Sequence, residues 1–172
     1  MTAGFSIEPL AGQHDRKGFS CGVDVLDRYF RERVGQDIRR RMGNCFVALD
    51  REGEIAGYYT LAASSVPVSE IPSDMAAKLP RYPVLPVGLI GRLAVDRRFA
   101  GQGLGTALIV DAIARAIQSE VAISALAVDA KDEAAKAFYE RLGFIPFQSR
   151  PISLFLPLSD AARFRSLGLV SV

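Results

Sequence analysis

The chain has 172 residues, 49% of them hydrophobic and 23% charged, which suits one domain with a real core and excludes disordered or fibrous classes. Its formal net charge of +2 does not announce a nucleic-acid binder, so any such role must rest on local clustering. Two cysteines and one histidine fit neither a disulfide framework nor zinc-ligand spacing. With no window of roughly eighteen unbroken apolar residues and no signal-peptide pattern at the N-terminus, residues 1–172 read as a single soluble, cytoplasmic, metal-free domain.

Residues 5–10 alternate apolar and polar and predict a short first strand, with Pro9 marking an edge or an end. His14 follows in a polar stretch with no obvious partner and reads as a solvated loop residue. From Val23 to about Met42 the pattern is helical, with Val25, Leu26, Tyr29, Phe30 and Val34 on one stripe and a predicted break at Gly35. Arg28, Arg31, Arg33, Arg39, Arg40 and Arg41 crowd the polar side against only Glu32 and Asp37. Such a run is either a solvated helix face or a patch that forks onto RNA phosphates.

Cys45–Asp50 and Glu54–Ala63, joined by Arg51-Glu-Gly53, predict an antiparallel hairpin. Residues 66–86 hold five of the nine prolines and read as irregular, with one helical turn near Ser73–Leu79 capped by Ser73. Next come an aliphatic strand, Leu89–Asp96, a glycine-rich turn and a helix from Leu104 to about Ser119. Val121–Val128 predicts a buried strand and Lys131–Leu142 a helix stopped by Gly143. Phe144–Phe147 and Ile152–Leu156 predict two more strands, and Ser159–Ser166 a terminal helix. The order is that of an α/β sandwich with an antiparallel N-terminal half.

The strand–glycine turn–helix junction at residues 89–106 is built to hold an anion. A helix start concentrates N–H donors and the positive end of the dipole, and glycines permit the positive-φ turn of a nest. A Walker A loop would need Lys before the final Ser or Thr, where Gly105 precedes Thr106. The dinucleotide fingerprint would need a third glycine at 106 and an acid in the following strand, and residues 121–128 contain none.

Arg98-Phe-Ala-Gly101-Gln-Gly103 instead resembles the Arg/Gln-x-x-Gly-x-Gly/Ala motif A of the GCN5-related N-acetyltransferase (GNAT) superfamily. Ala137-Phe-Tyr-Glu-Arg-Leu-Gly-Phe144 resembles its motif B. The resemblance implies a GNAT fold: a mixed, mostly antiparallel sheet of six to seven strands, flanked by helices and splayed at the motif A strand. It implies acetyl-CoA as co-substrate and no metal. The pyrophosphate would lie on the N–H groups of Gly101, Gln102, Gly103, Leu104, Gly105 and Thr106, next to Arg98. Pantetheine would lie along Leu93, Ala94 and Val95. Tyr139 stands where the superfamily commonly places the tyrosine that protonates the CoA sulfur, although its helical periodicity also suits plain packing. Asp132 stands near a position that often carries a CoA-contacting Asn, a departure that puts any cofactor role there in doubt.

Phe19–Phe30, Gly57-Tyr-Tyr-Thr-Leu61 and Leu89–Asp96 further resemble one branch, the acetyltransferase toxins of bacterial type II toxin–antitoxin modules. That resemblance implies acetylation of the α-amine of aminoacyl-tRNA, arrest of translation, a ribbon-helix-helix antitoxin as partner and a homodimer. Arg92 and the cluster at Arg39, Arg40 and Arg41 would handle the tRNA, although Arg92 also suits a structural ion pair. The alternative is a GNAT enzyme acting on a small-molecule or protein amine.

Overall fold

The computed structural model describes residues 4–79 and 81–160. Its strands form a seven-stranded sheet in the order β1-β2-β3-β4-β5-β7-β6. Four of the strand pairs are antiparallel and β4 with β5 is parallel, the mixed α/β sheet expected. The chain divides into two compact units, Met1–Ala62 with Gly91–Ala112 and Ala63–Ile90 with Ile113–Val172.

In the first unit, β1 (Ser6–Pro9) pairs with β2 (Asn44–Leu49), and β2 pairs with β3 (Ile55–Pro67). The predicted hairpin turn is closed by Asp50, whose Oδ1 accepts from the N–H groups of Glu52 (2.9 Å) and Glu54 (2.8 Å). The helical stretch does not break at Gly35. It runs as α1 (Asp24–Arg28), a π-helical turn (Tyr29–Arg33) and α2 (Val34–Arg39). The π turn leaves the Phe30 carbonyl to accept from Arg16 Nη1 at 2.8 Å. Gly35 instead makes room for charge, since a Cβ there would meet Arg39 Nη1 at 3.3 Å.

Phe30 stacks on Tyr58 (centroids 4.2 Å apart), and Phe19 meets both edge-on, at the centre of the core that holds this helix on β2 and β3. The apolar stripe needs one correction: Val25 is 75% exposed, and it is Asp27 that turns inward, accepting the Cys21 N–H at 2.8 Å. His14 is no solvated loop residue either. Its side chain is 5% exposed, Nε2 lies 2.7 Å from Glu8 Oε1 and Nδ1 accepts from the Ala11 N–H.

In the second unit, β3 continues into a 3₁₀ turn (Val68–Glu70) and α3 (Ser73–Ala76). Pro72, not Ser73, is the residue before that helix, and no side chain caps it. β4 (Val84–Val95) starts earlier than the aliphatic run suggests. β5 (Ala125–Asp129) is shorter than predicted, because Val121 lies outside it and is 73% exposed. β6 (Ile145–Pro146) and β5 both pair with β7 (Ser153–Pro157), and Phe147 stacks on Phe155. The predicted terminal helix starts as a 3₁₀ turn, Leu158–Asp160, and its remainder lies outside the described residues. Among the described residues no helix is long and apolar enough to cross a membrane.

Candidate active site

In the first unit β4 ends at Val95, and a 3₁₀ turn (Arg97–Phe99) leads through Gly101 and Gly103 into α4 (Leu104–Gln118). Both glycines are at positive φ, +78° and +75°. A Cβ on either would meet nothing within 4 Å, so conformation rather than crowding demands glycine. The helical ladder opens with the Ala107 N–H on the Gly103 carbonyl (3.1 Å). The N–H groups of Leu104, Gly105 and Thr106 therefore belong to the first turn, whose donors the ladder leaves to other partners. Gly101, Gln102 and Gly103 are exposed, while the Leu104 side chain is buried and anchors the helix start. The register of β4 with β5 runs from Val87↔Ala125 to Ile90↔Val128, and β4 continues through Leu93, Ala94 and Val95 beyond its last pair.

In the second unit α5 (Glu133–Arg141) is capped by Asp132, whose side chain accepts from the Ala135 N–H at 2.8 Å. That bond gives Asp132 a structural task where the superfamily pattern suggests an Asn. Gly143, at φ +100°, ends the helix, and the Phe144 N–H turns back onto the Tyr139 carbonyl at 3.1 Å. Tyr139 is 7% exposed, with Phe138 and Phe144 against its ring. Burial alone raises its phenol to about 12. Tyr139 is therefore protonated at neutral pH, the state a proton donor requires.

Residues 14–144 match the Acetyltransferase (GNAT) family. The chain belongs to the GNAT acetyltransferase family. Among its relatives, a tRNA-acetylating toxin of Mycobacterium tuberculosis (strain ATCC 25618 / H37Rv) is 38% identical over 154 residues, covering 88% of this chain and 91% of that protein. Among solved structures, AtaT complexed with acetyl-methionyl-tRNAfMet superposes with a TM-score of 0.85 at 30% identity, over 94% of this chain and 99% of the other. The AtaT Y144F mutant toxin bound to the C-terminus of the antitoxin AtaR and acetyl-CoA gives 0.77 at 26% identity, over 95% and 99%.

The GNAT chain handles its two neighbouring arginines differently. Arg98 donates to Asp96 Oδ1 (3.1 Å) and to Glu54 Oε2 (2.6 Å), so its guanidinium is already engaged in binding the turn to the β2–β3 loop. Arg92, half-buried on β4, enters none of the ion pairs among the described residues. Its guanidinium carbon stands 3.5 Å from the centroid of the Tyr29 ring. A cation–π contact thus stands where an ion pair would make Arg92 a structural residue. All six arginines of the 28–41 cluster are exposed. Arg41 takes φ +58°, where the Met42 N–H reaches the Asp37 carbonyl and the Arg41 N–H the Ile38 carbonyl, a Schellman end to α2.

Sequence reasoning missed Asp96, 1% exposed at the hinge of the GNAT turn. Burial would raise its carboxyl, but hydrogen bonds from the Arg98 side chain and from the N–H groups of Arg98 and Ser20 outweigh it and hold the carboxyl below its ordinary range. Ser20 returns the tie, its carbonyl accepting the Arg97 N–H (2.9 Å) and its Oγ accepting from Arg97 Nη2 (2.8 Å). The only available signal was an acid closing an aliphatic strand.

A carboxyl lowered by folding stabilises the fold fully above its unfolded pKa, and that stabilisation is lost as pH falls through the lower folded value. Thermal denaturation across an acid pH series should therefore show a falling limb below the usual Asp range. Asp96→Asn should flatten that limb and lower Tm at neutral pH; an unchanged limb would remove Asp96 from this role.

Proposed function

We propose that this acetyltransferase is the toxin of a type II toxin–antitoxin module, which moves the acetyl group of acetyl-CoA onto the α-amine of aminoacyl-tRNA and so blocks translation. The observation that carries the acceptor is the likeness, over 88% of this chain, to a tRNA-acetylating toxin. Six exposed arginines on the α1–α2 stretch supply the electrostatics such a partner requires.

The positive-φ glycines and the first turn of a fifteen-residue helix fit a pyrophosphate, so Gly101–Thr106 would hold that end of acetyl-CoA and Leu93–Val95 its pantetheine arm. Arg98 serves this site by fixing the turn through Asp96 and Glu54. In the reaction the amine nitrogen bonds to the acetyl carbon, the carbon–sulfur bond breaks and Tyr139 gives its proton to the departing sulfur. The amine's surplus proton leaves to water. A ribbon-helix-helix antitoxin and a second copy of the chain are the proposed protein partners, and aminoacyl-tRNA as substrate places the work in the cytoplasm.

The test is incubation of the purified protein with labelled acetyl-CoA and a pool of charged tRNAs. N-acetylated aminoacyl-tRNA is expected. Label confined to a polyamine or to protein would replace the acceptor with the small-molecule or protein alternative, and no turnover on any amine would remove the enzymatic reading.

A further inference from the structure

The contrast between Arg98 and Arg92 bears on how the acceptor is held. Arg98 directs its N–H groups at two carboxylates. The Arg92 guanidinium carbon lies over the Tyr29 ring, 3.5 Å from its centroid, and a cation–π contact of this kind consumes no N–H donor. Its backbone is fixed as well, the N–H donating to Oγ1 of the buried Thr60 at 3.1 Å. The ring beneath it is no casual neighbour. Tyr29 is 8% exposed, opens the π-helical turn and donates its hydroxyl to Asp37 Oδ2 at 2.7 Å. Asp37 lies on α2, so the ring is pinned at its far end by the helix that carries Arg39. Burial, and then the bond to Asp37, raise the phenol above its ordinary value, which keeps it a neutral donor.

We propose that Tyr29 is the positioning residue for Arg92: its ring carries the guanidinium by one face and leaves the N–H edge to fork onto a phosphodiester of the aminoacyl-tRNA acceptor end. The proposal rests on the function proposed above. It assigns the π turn a purpose, since a helix of regular pitch would carry Tyr29 and Asp37 round on a different spacing. It also explains how the guanidinium is held beside a nucleic-acid substrate when, among the described residues, no carboxylate pairs with it to compete with the phosphate.

The experiment measures initial rates of tRNA acetylation with aminoacyl-tRNA and acetyl-CoA varied separately. Tyr29→Leu should raise KM for aminoacyl-tRNA by about tenfold and leave KM for acetyl-CoA unchanged. Tyr29→Phe, which keeps the ring and loses the tie to Asp37, should raise KM for aminoacyl-tRNA by less than Tyr29→Leu does. In an Arg92→Ala background Tyr29→Leu should add no further loss. Tyr29→Met fills the space without a ring and replaces the Leu variant if that one does not fold. Equal rises in both KM values, or a full Tyr29→Leu effect on top of Arg92→Ala, would make Tyr29 a core residue only and overturn the proposal. If the parent protein acetylates no charged tRNA, the proposed function falls and this inference with it. If it does and Tyr29→Leu leaves both KM values unchanged, the platform alone falls.

Discussion

Tyr139→Phe is expected to lower acetyl transfer by about 10²–10⁴-fold, the range over which a positioned proton donor works, while leaving the fold intact. The substitution keeps the ring that Phe138 and Phe144 pack against and removes only the hydroxyl. Thermal melting should show a Tm within a few degrees of the parent, and single-turnover assays should separate the chemical step from acetyl-CoA binding. With the phenol at about 12, Tyr139 should impose no alkaline loss of activity below pH ~10. In cells, expression of the variant should no longer arrest growth; full toxicity would return Tyr139 to a packing role.

Reversing charge at Arg39, Arg40 and Arg41 together is expected to raise KM for aminoacyl-tRNA about a hundredfold and to lower the salt dependence of binding by up to about three phosphate contacts. KM for acetyl-CoA should not move. A filter-binding series at several salt concentrations reads the slope directly, and an unchanged slope would make the cluster a solvated face. Arg41 offers a sharper single-site version. It occupies the left-handed position at the end of α2 that glycine adopts with less strain. Arg41→Gly should therefore stabilise the fold by up to about 1 kcal/mol while weakening tRNA binding. A residue present only to interact with the helix dipole would lose stability on the same change.

Much of this architecture was legible because it is local. The strand, glycine turn and helix at residues 89–106, the hairpin around Gly53 and the Gly143 stop follow from periodicity and from glycines that the chain needs at positive φ. What escaped depends on partners distant in the chain or on small changes of pitch. No pattern distinguishes a π turn at Tyr29–Arg33 from five residues of α-helix, so the sequence points to a break at Gly35 that the structure does not make. The inward turn of Asp27 and the outward turn of Val25 follow from the need of the Cys21 N–H for an acceptor. The Asp96–Ser20 tie joins residues 76 apart. Tyr139 and the glycine turn are singled out by their motifs; Arg98, tied to two carboxylates, and Arg92, over the Tyr29 ring, look alike in sequence and differ only in what lies beside them.

Gly57 extends these constraints to mutational escape. A Cβ at this β3 residue would come within 3.0 Å of the Ala94 carbonyl oxygen and 3.2 Å of a Leu108 methyl, so strand β4 and helix α4 both close on bare backbone. In a population of cells carrying this gene under an inducible promoter, survivors of induction should hold missense changes at Gly57 as well as at Tyr139. Such a survivor map would reveal where the molecule has no slack, at a residue that has no side chain to offer either substrate.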